Sequence, residues 1–341
     1  MSQGERLHTK VSALAAKPNL DSSVRTTPAW ANSLMDQASE IAQRGFQENH
    51  RPALKEAHQT LRVLYDQHLF PNSSRAANQY NPYLLETRHI LEDAWMSKEA
   101  ERSTLQPVPS TVTPDAFPTY FEEYVVTHPA SAHPLYDHLA YKATKRDMLT
   151  FFHSEQPLDV RFFDIVVLSA LGTDGVPRAE VAQNIYDEAG HGQVEKAHTT
   201  LYRTLLNELG FNKTDAQFAG EMDVEALAGY NLFQYLGQHR DKYNEFVGAM
   251  GVTELFDPPL YTKFMRGAKR LGLDSATDLS YYTEHISVDV AHGDGWMNRV
   301  MLPALEKTPD QADSFMRGAE LRIHTATDYY DAMYAKLGGT K

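Results

Sequence analysis

The stretch that most constrains how this chain can fold lies at residues 281–296, YYTEHISVDVAHGDGW. Within it, His285, Asp289 and His292 follow one another at spacings of four and three residues. Because an α-helix turns by about 100° per residue, these side chains would leave one helix as a single stripe. Imidazole and carboxylate ligands together suit iron, manganese or zinc. Alone, the pattern also fits a helix with two surface histidines and an aspartate, so the choice depends on the other segments.

Composition excludes several classes of partner. The chain has 341 residues and a formal net charge of −13, which argues against a nucleic-acid or anionic-membrane surface, because both need a basic patch. It has no cysteine, which excludes disulfides and thiolate metal sites and fits the cytoplasm. We find no signal peptide and no apolar run of about 18 residues. We therefore expect a cytoplasmic protein that binds neither nucleic acid nor membrane.

Apolar residues recur at helical spacing through most of the chain, and alternating strand patterns are missing. We therefore predict an all-α fold. The proline-rich stretch LQPVPSTVTPDAFP separates an N-terminal helical part from a larger second part. We predict a flexible N-terminal arm over residues 1–29, a helical extension over residues 30–106, a linker over residues 107–115 and a helical domain over residues 116–341.

Further candidate ligands lie in the segment DEAGHGQVEKAH, which ends at residue 198. It contains two Glu-x-x-His pairs, Glu188 with His191 and Glu195 with His198. Either pair alone is typical of a solvated helix face. The apolar periodicity of the sequence on both sides indicates that this segment adjoins the core.

Two glycines interrupt that segment, Gly190 and Gly192. Each costs roughly 1 kcal/mol relative to alanine inside a helix. On a straight helix, Glu188 and His198 would lie about 15 Å apart along the axis and roughly 80° apart around it. We therefore predict that the helix bends or unwinds at the glycines if both side chains serve one cluster.

Carboxylates are also available from two other segments. Glu155 follows the apolar run MLTFF, and Asp164 follows it at a short distance; either fits a helix cap or a solvated charge equally well. Glu254 ends the apolar stretch FVGAMGVTELF, where an unpaired buried charge would cost several kcal/mol. In chain order, the candidates form a carboxylate, a carboxylate with a histidine, a carboxylate, and a His–Asp–His stripe. Together they describe a carboxylate-bridged dinuclear metal site.

The order of these ligands resembles that of a known family. A ferritin-like site needs its two Glu-x-x-His motifs on different helices, whereas here both lie in one segment. The segments FFHSEQPLDVRFFDIVVLSALGTDG, NIYDEAGHGQVEKAHTTLY and EHISVDVAHGDGW instead resemble the haem-oxygenase-like di-iron oxidases, or iron-containing redox enzymes, over roughly residues 116–335. The resemblance implies a haem-oxygenase-like helical bundle with an N-terminal helical extension. The iron ligands that it implies are Glu155, Glu188, His198, Glu254, His285, Asp289 and His292.

The resemblance also implies how the two irons share these ligands. Asp164 is the rival of Glu155 for the ligand from the first core helix. The implied partition is Glu155, His198 and His292 on one iron, and Glu188, His285 and Asp289 on the other, with Glu254 able to bridge.

Glu188, ten residues before His198, is similar to an additional carboxylate of the family's N-oxygenating members. The resemblance therefore implies an O2-dependent N-oxygenase with two Fe ions, ferrous in the O2-reactive state, and an external reductant. It would convert an amine, guanidine or amino-heterocycle nitrogen of a small metabolite to an N-hydroxy or nitro product through a peroxo-diferric intermediate. The alternatives are a di-iron desaturase or C–C bond-cleaving oxidase of an aliphatic amino or fatty acid, and a metal-free helical binding protein on the same fold.

Two further expectations concern partners and pocket. Residues 30–105 resemble an extension that supports dimerisation in the N-oxygenating members, so we expect a homodimer, with an electron donor and a small nitrogen-containing substrate as partners. A pocket for such a substrate needs acids or tyrosines beyond the metal ligands. The candidates nearest in sequence, each of which fits a packing role as well, are Tyr186, Tyr281, Tyr282, Glu284 and Asp294.

Overall fold

The computed structural model describes residues 5–18, 20, 29–71, 74–211 and 221–339. These residues form α-helices joined by short 3-10 turns and loops, and no β-strand occurs among them. The all-α prediction is confirmed. Within these ranges, no helix is both long enough and apolar enough to cross a membrane.

The chain divides into two compact units, Met1–Thr104 with Gln217–Asn231, and Leu105–Ala216 with Leu232–Lys341. The boundary between Asn231 and Leu232 falls inside the helix Val224–Gln238. In chain order, the α-helices of the described residues are α1 (Leu7–Ala15), α2 (Ala29–Ala42), α3 (Arg51–Asp66), α4 (Pro82–Arg102), α5 (Phe117–Thr127), α6 (Pro134–Tyr141), α7 (Lys145–Asp159), α8 (Phe162–Ala170), α9 (Gly175–Glu188), α10 (His198–Glu208), α11 (Val224–Gln238), α12 (Tyr243–Arg270), α13 (Ser280–Gly295), α14 (Leu302–Lys307) and α15 (Ala312–Lys336).

The first unit contains α1 to α4. Helix α1 lies in the segment that was predicted to be a flexible N-terminal arm. Leu7, Val11 and Leu14 follow one another at helical spacing and are buried, and α1 packs against α3. These residues form a packed helix because three apolar side chains on one face can be buried together. The flexible arm is therefore wrong for residues 7–15, while residues 21–28 of that predicted arm lie outside the described residues.

The first unit also buries charged groups. The Oε1 atom of Glu92 on α4 accepts hydrogen bonds from the hydroxyl of Tyr65 and from Nε of Arg88, both at 2.8 Å. Buried ions of this kind are tolerated when they are paired and hydrogen-bonded. The core of this unit is thus held by polar contacts as well as by apolar packing.

The second unit is built around α12. All residues from 245 to 254 are buried, so this part of α12 is surrounded by other helices. It packs against α6, α13 and α15. Gly248 permits the close approach to α15, since a Cβ atom there would lie 2.0 Å from the carbonyl oxygen of Phe315. The central position of α12 brings its side chains to the middle of the unit.

The predicted linker runs along the second unit. Residues 103–113 are not helical. The backbone N–H of Leu105 donates to Glu320 Oε1 (3.1 Å), and that of Val108 donates to Asp313 Oδ1 (2.7 Å). Two carboxylates of α15 therefore hold the backbone of this segment by hydrogen bonds.

Candidate metal centre

Two groups of three carboxylate and imidazole side chains lie inside the second unit. Within each group, one potential ligand atom from every residue lies within 4.8 Å of the others. All of these side chains are buried. We name them the first triad, Glu188, His198 and His285, and the second triad, Glu254, Asp289 and His292.

Helix α13 contributes to both triads. His285 belongs to the first, and Asp289 and His292 belong to the second. Because residues 285 and 292 are two helical turns apart, about 10 Å of helix axis separates their backbones. Residues 289 and 292 are neighbours on one face. The stripe predicted from the sequence therefore faces the interior and serves two groups of ligands.

The segment between α9 and α10 brings Glu188 and His198 together. Helix α9 ends at Glu188, the backbone angle φ is positive at Gly190 (62°), His191 (56°) and Gly192 (80°), and α10 begins at His198. As a result, His198 Nδ1 lies 3.0 Å from Glu188 Oε1. The break predicted at the glycines is present.

Gly190 is the tightest point of this break. A Cβ atom there would lie 2.3 Å from the backbone nitrogen of Ala197 and 2.4 Å from the carbonyl carbon of Lys196. The chain folds back on itself only because this residue has no side chain.

A hydrogen bond fixes the tautomer of His285. Its Nδ1 lies 2.6 Å from the carbonyl oxygen of Tyr281, which can only accept, so Nδ1 carries the proton. The Nε2 atom then keeps its lone pair, and it lies 3.9 Å from Glu188 Oε1. Burial and the neighbouring His198 lower the pKa of His285 to about 4. His285 is thus a neutral imidazole with a free lone pair, the form that binds metal.

The other two members of the first triad form an ion pair. Burial opposes the charge on Glu188, but the hydrogen bond with His198 and the charge of that ring lower its pKa overall. Burial likewise opposes the charge on His198, and Glu188 raises its pKa overall. The Oε2 atom of Glu188 is buried and has no hydrogen-bond partner among the described residues. One carboxylate oxygen of the first triad is therefore available to a ligand such as a metal ion.

The second triad holds a protonated histidine between carboxylates. Nδ1 of His292 lies 3.6 Å from Glu254 Oε2, and Nε2 lies 3.1 Å from Asp187 Oδ2. Burial acts against the charge, but the nearby Glu254 carboxylate and the hydrogen bond with Asp187 raise the pKa of His292 to about 9. Burial and the nearby Glu254 raise the pKa of Asp289 well above its usual range. A cation bound by His292 in this triad would take the place of the second proton on that ring.

The contact of Asp187 with His292 was not predicted from the sequence. Besides His292, it accepts a hydrogen bond from His191 Nε2 at 2.8 Å, and the ring of His191 stacks on Tyr186 at 4.9 Å between centroids. Its position directly before Glu188 was the available signal. That signal was weak because adjacent residues on a helix normally point in different directions.

Glu155 and Asp164 lie outside both triads. Glu155 is enclosed on α7, where burial raises its pKa to about 7, although Tyr329 and Arg322 oppose the shift. Asp164 is partly exposed and lies 3.4 Å from Arg161 Nη1. The triads also differ from the partition that the resemblance implies, because the break after Glu188 places His198 beside Glu188, while His292 is one turn from Asp289.

The five predicted pocket residues lie in different surroundings. Tyr281 and Tyr282 are buried, and the ring of Tyr281 lies 4.2 Å from that of His285. Glu284 is partly exposed, with Oε2 3.5 Å from His198 Nε2. Tyr186 is exposed, and the exposed Asp294 accepts a hydrogen bond from Asn298 at 2.8 Å. The two tyrosines of α13 are thus interior groups, and Tyr186 and Asp294 are surface groups.

An all-α unit with buried carboxylate and imidazole triads on packed helices defines a class, the metal proteins built in helical bundles. The chain belongs to the iron-containing redox enzyme family, whose profile matches residues 149–327, just over half of the chain, with both triads inside the match. The family resemblance inferred from the sequence is confirmed.

One curated relative is similar to part of the chain. Nitrosourea synthase from Streptomyces achromogenes subsp. streptozoticus is 28% identical over 145 residues. This alignment covers 42% of the present chain and 30% of the relative, so the chain matches less than a third of that protein's length.

Iron fits the triads by the chemistry of their donors. Each triad offers carboxylate oxygen and imidazole nitrogen, which suit iron. The unpartnered oxygen of Glu188 and the lone pair of His285 belong to the same triad. Buried carboxylates close together also call for a compensating cation.

Proposed function

We propose that this protein is a non-haem di-iron oxygenase that uses O2 to oxidise the nitrogen of an amine, guanidine or amino-heterocycle in a small metabolite. The product would carry an N-hydroxy or nitro group. The observation that carries the proposal is the pair of buried triads joined by α13. Membership of an iron-containing redox family supports the metal and the reaction type, and the relative named nitrosourea synthase supports chemistry at nitrogen.

In this proposal the first triad holds one iron ion and the second triad holds the other. Ferrous ions bound there would supply the electrons for activating O2, and an external reductant would restore them. His285 contributes a neutral Nε2 atom because the carbonyl oxygen of Tyr281 holds the proton of the ring on Nδ1. Asp187 orients His292 through Nε2, as carboxylates that contact metal-binding histidines commonly do. Burial of both triads excludes bulk water.

The parts of the proposal that concern partners follow from the resemblance. The first unit would support a homodimer, an electron donor would reduce the irons, and a small nitrogen-containing molecule would be the substrate. Tyr281 and Tyr282, the interior members of the predicted pocket, would form a wall of the substrate site next to His285.

Iron content tests the centre directly. The full chain is loaded with Fe(II) under anaerobic conditions, and iron per chain is measured after desalting, with about two ions expected for two triads. Asp289→Asn removes a charged member of the second triad and should bind clearly less iron. Asp294→Asn is the matched control, because it lies on the same helix, is exposed and belongs to neither triad. Equal iron in both variants, or none in the parent, would refute the centre and favour a metal-free binding protein.

Oxygen transfer tests the reaction. The Fe(II)-loaded protein is exposed to 18O2 and a reductant together with amino acids, guanidines and amino-azoles, and products are analysed by mass spectrometry. A gain of one or two labelled oxygens on nitrogen is expected. Loss of two hydrogens or cleavage of a C–C bond would instead identify a desaturase or a C–C-cleaving oxidase.

A further inference from the structure

His191, in the break between α9 and α10, has a backbone conformation that is uncommon for a residue with a side chain. Its φ of 56° and ψ of 32° lie in the left-handed region, where the Cβ atom crowds the following carbonyl oxygen. Asn49 is the one other non-glycine residue with a positive φ in the part of the chain that the structure describes. Such a conformation persists where surrounding contacts hold it in place. The contacts of the His191 ring can therefore offset its cost.

Two contacts hold the imidazole ring of His191. Its Nε2 atom lies 2.8 Å from Oδ1 of Asp187, and an ionised carboxylate can only accept, so Nε2 carries the proton. The ring also stacks on that of Tyr186, with the centroids 4.9 Å apart and the planes inclined by 25°. The side chain of His191 is 55% exposed, so core packing does not fix it. Its position is set by Asp187 and Tyr186, both in the last turn of α9.

The carboxylate of Asp187 is held on one oxygen and faces a metal-ligand candidate with the other. Besides His191, Oδ1 accepts a hydrogen bond from Nε2 of Gln183, one turn earlier on α9, at 3.0 Å. Oδ2 lies 3.1 Å from Nε2 of His292. A carboxylate is a rigid planar group, so donors that fix Oδ1 also fix the direction in which Oδ2 faces His292.

The two nitrogens of His292 have different surroundings. Nε2 faces Asp187, and Nδ1 lies 3.6 Å from Oε2 of Glu254, another member of the second triad. When Nε2 donates to Asp187, Nδ1 is the nitrogen that can bind a metal. The group that accepts from the outer nitrogen of a metal-binding histidine fixes its tautomer and ring orientation. The orientation of Nδ1 therefore depends on Asp187 and, through Asp187, on His191.

We propose that His191 is a positioning residue of the second triad, which acts through Asp187 on the ring of His292. The left-handed backbone turns the His191 ring back onto the last turn of α9. This gives a role to the histidine of the Glu188–His191 pair, which holds the partner of a ligand rather than the metal. The inference rests on the metal-binding part of the proposed function and is independent of the substrate and of the reaction at nitrogen.

Metal titration without turnover tests this role. Co(II), which binds carboxylate and imidazole ligands as Fe(II) does, is titrated into the metal-free full chain in competition with a chelator, and the visible absorption spectrum is recorded. Asp289→Asn identifies the binding step of the second triad. His191→Asn should weaken that step by about 2- to 10-fold, the range that one hydrogen bond supplies, and change its spectrum. The step of the first triad should stay the same.

Matched variants separate the hydrogen bond from the stacking contact. His191→Gln should restore most of the affinity, because the amide of glutamine can donate to Asp187 from a position close to that of Nε2. Tyr186→Phe keeps the stacked ring and should behave as the parent, whereas Tyr186→Ala should weaken the same step. His89→Asn is the control, because it makes the same change at an exposed histidine of the first unit that pairs with Asp93 at 3.3 Å.

Thermal melting of the metal-free chain separates positioning from a purely structural role. Asparagine tolerates the left-handed region, so His191→Asn should leave the melting temperature unchanged or raise it. A lower melting temperature together with a parent-like affinity for Co(II) would show that His191 only stabilises the break, and would overturn the inference.

The remaining outcomes separate this inference from the proposed function. A parent-like affinity and spectrum in His191→Asn, or equal losses in His191→Asn and His191→Gln, would overturn the role of His191 and leave the two triads as a metal centre. Absence of metal binding by the parent chain would refute the centre and this inference together. A loss confined to the second triad and restored by His191→Gln supports the inference, even if no labelled oxygen is transferred to any substrate.

Discussion

The ring of His285 donates from Nδ1 to the carbonyl oxygen of Tyr281, one helical turn earlier on the same helix. In an α-helix this carbonyl normally accepts from the backbone, so the ring adds a second bond to an acceptor with two lone pairs. The result is a fixed tautomer whose Nε2 is available to a metal. His292 is prepared differently, with a carboxylate near each ring nitrogen. At the scale of single residues, the two triads therefore start from one neutral and one charged histidine on α13.

Another buried histidine, His58 in the first unit, gives a stability prediction. Its ring lies between those of Phe46 and Trp95, at 5.5 and 4.7 Å. Burial lowers the pKa of His58 from 6.5 to about 4. Above pH 6.5 the ring is neutral in both states. As the pH falls from 6.5 to 4, the unfolded chain takes up a proton that the folded chain refuses, so the group costs about 3 kcal/mol of stability.

His58→Phe should therefore flatten the acid side of the stability profile. The ring remains in place, and Asn231 Nδ2 keeps its hydrogen bond to the backbone oxygen of residue 58 at 2.9 Å. Urea unfolding followed by circular dichroism, above pH 6.5 and near pH 4, measures the change. His89→Gln is the control, because His89 is exposed on α4. A parent-like loss of stability on acidification in His58→Phe would contradict the assigned cause.

Among the elements, the break between α9 and α10 gives the sharpest test of the first triad. Gly190→Ala places a Cβ atom 2.3 Å from the backbone nitrogen of Ala197, so the chain cannot keep its path and Glu188 cannot stay 3.0 Å from His198. Iron binding should fall to about one ion per chain, that of the second triad, because the triads take one ion each. Gly192→Ala is the matched control: φ is also positive there, but nothing lies within 4 Å, so only about 1 kcal/mol of strain is expected. Equal iron loss in both variants would contradict a specific role of Gly190.

Local rules explain which elements could be predicted. The stripe on α13 depends only on helical spacing, and the break depends on the glycines, so both follow from the sequence. Helix α1 carries Leu7, Val11 and Leu14 at the same kind of spacing, but polar neighbours and short length concealed it. The grouping of His198 with His285, and the contact of Asp187 with His292, depend on how helices meet in space. No spacing along the chain encodes such contacts.

Across the second unit, burial shifts the pKa of several acidic side chains upward. Burial raises the pKa of Asp159 and Asp289 well above the usual range, and raises those of Glu155 and Asp257 to about 7 and about 8. The free energy of folding therefore includes the cost of keeping these groups close together, whether protonated or charged. Divalent cations bound in the triads would reduce that cost. Metal binding should accordingly be linked to the stability of this unit.

Fe(II) should thus raise the melting temperature of the second unit. At a free metal concentration 100-fold above the dissociation constant, mass action adds about 2.7 kcal/mol, which corresponds to roughly 5–10 °C for a unit of this size. Anaerobic calorimetry measures the shift. Fluorescence shows which transition moves: when Trp30 and Trp95 of the first unit are replaced by Phe, the signal comes from Trp296, which is buried just after α13. Mg²⁺ is the control, because it prefers oxygen ligands and binds imidazole poorly. An equal shift with Mg²⁺ would indicate general screening of acidic charge. A shift that is specific to Fe(II), that a chelator reverses and that is smaller in Asp289→Asn would instead show that the imidazoles of the two triads take part in binding.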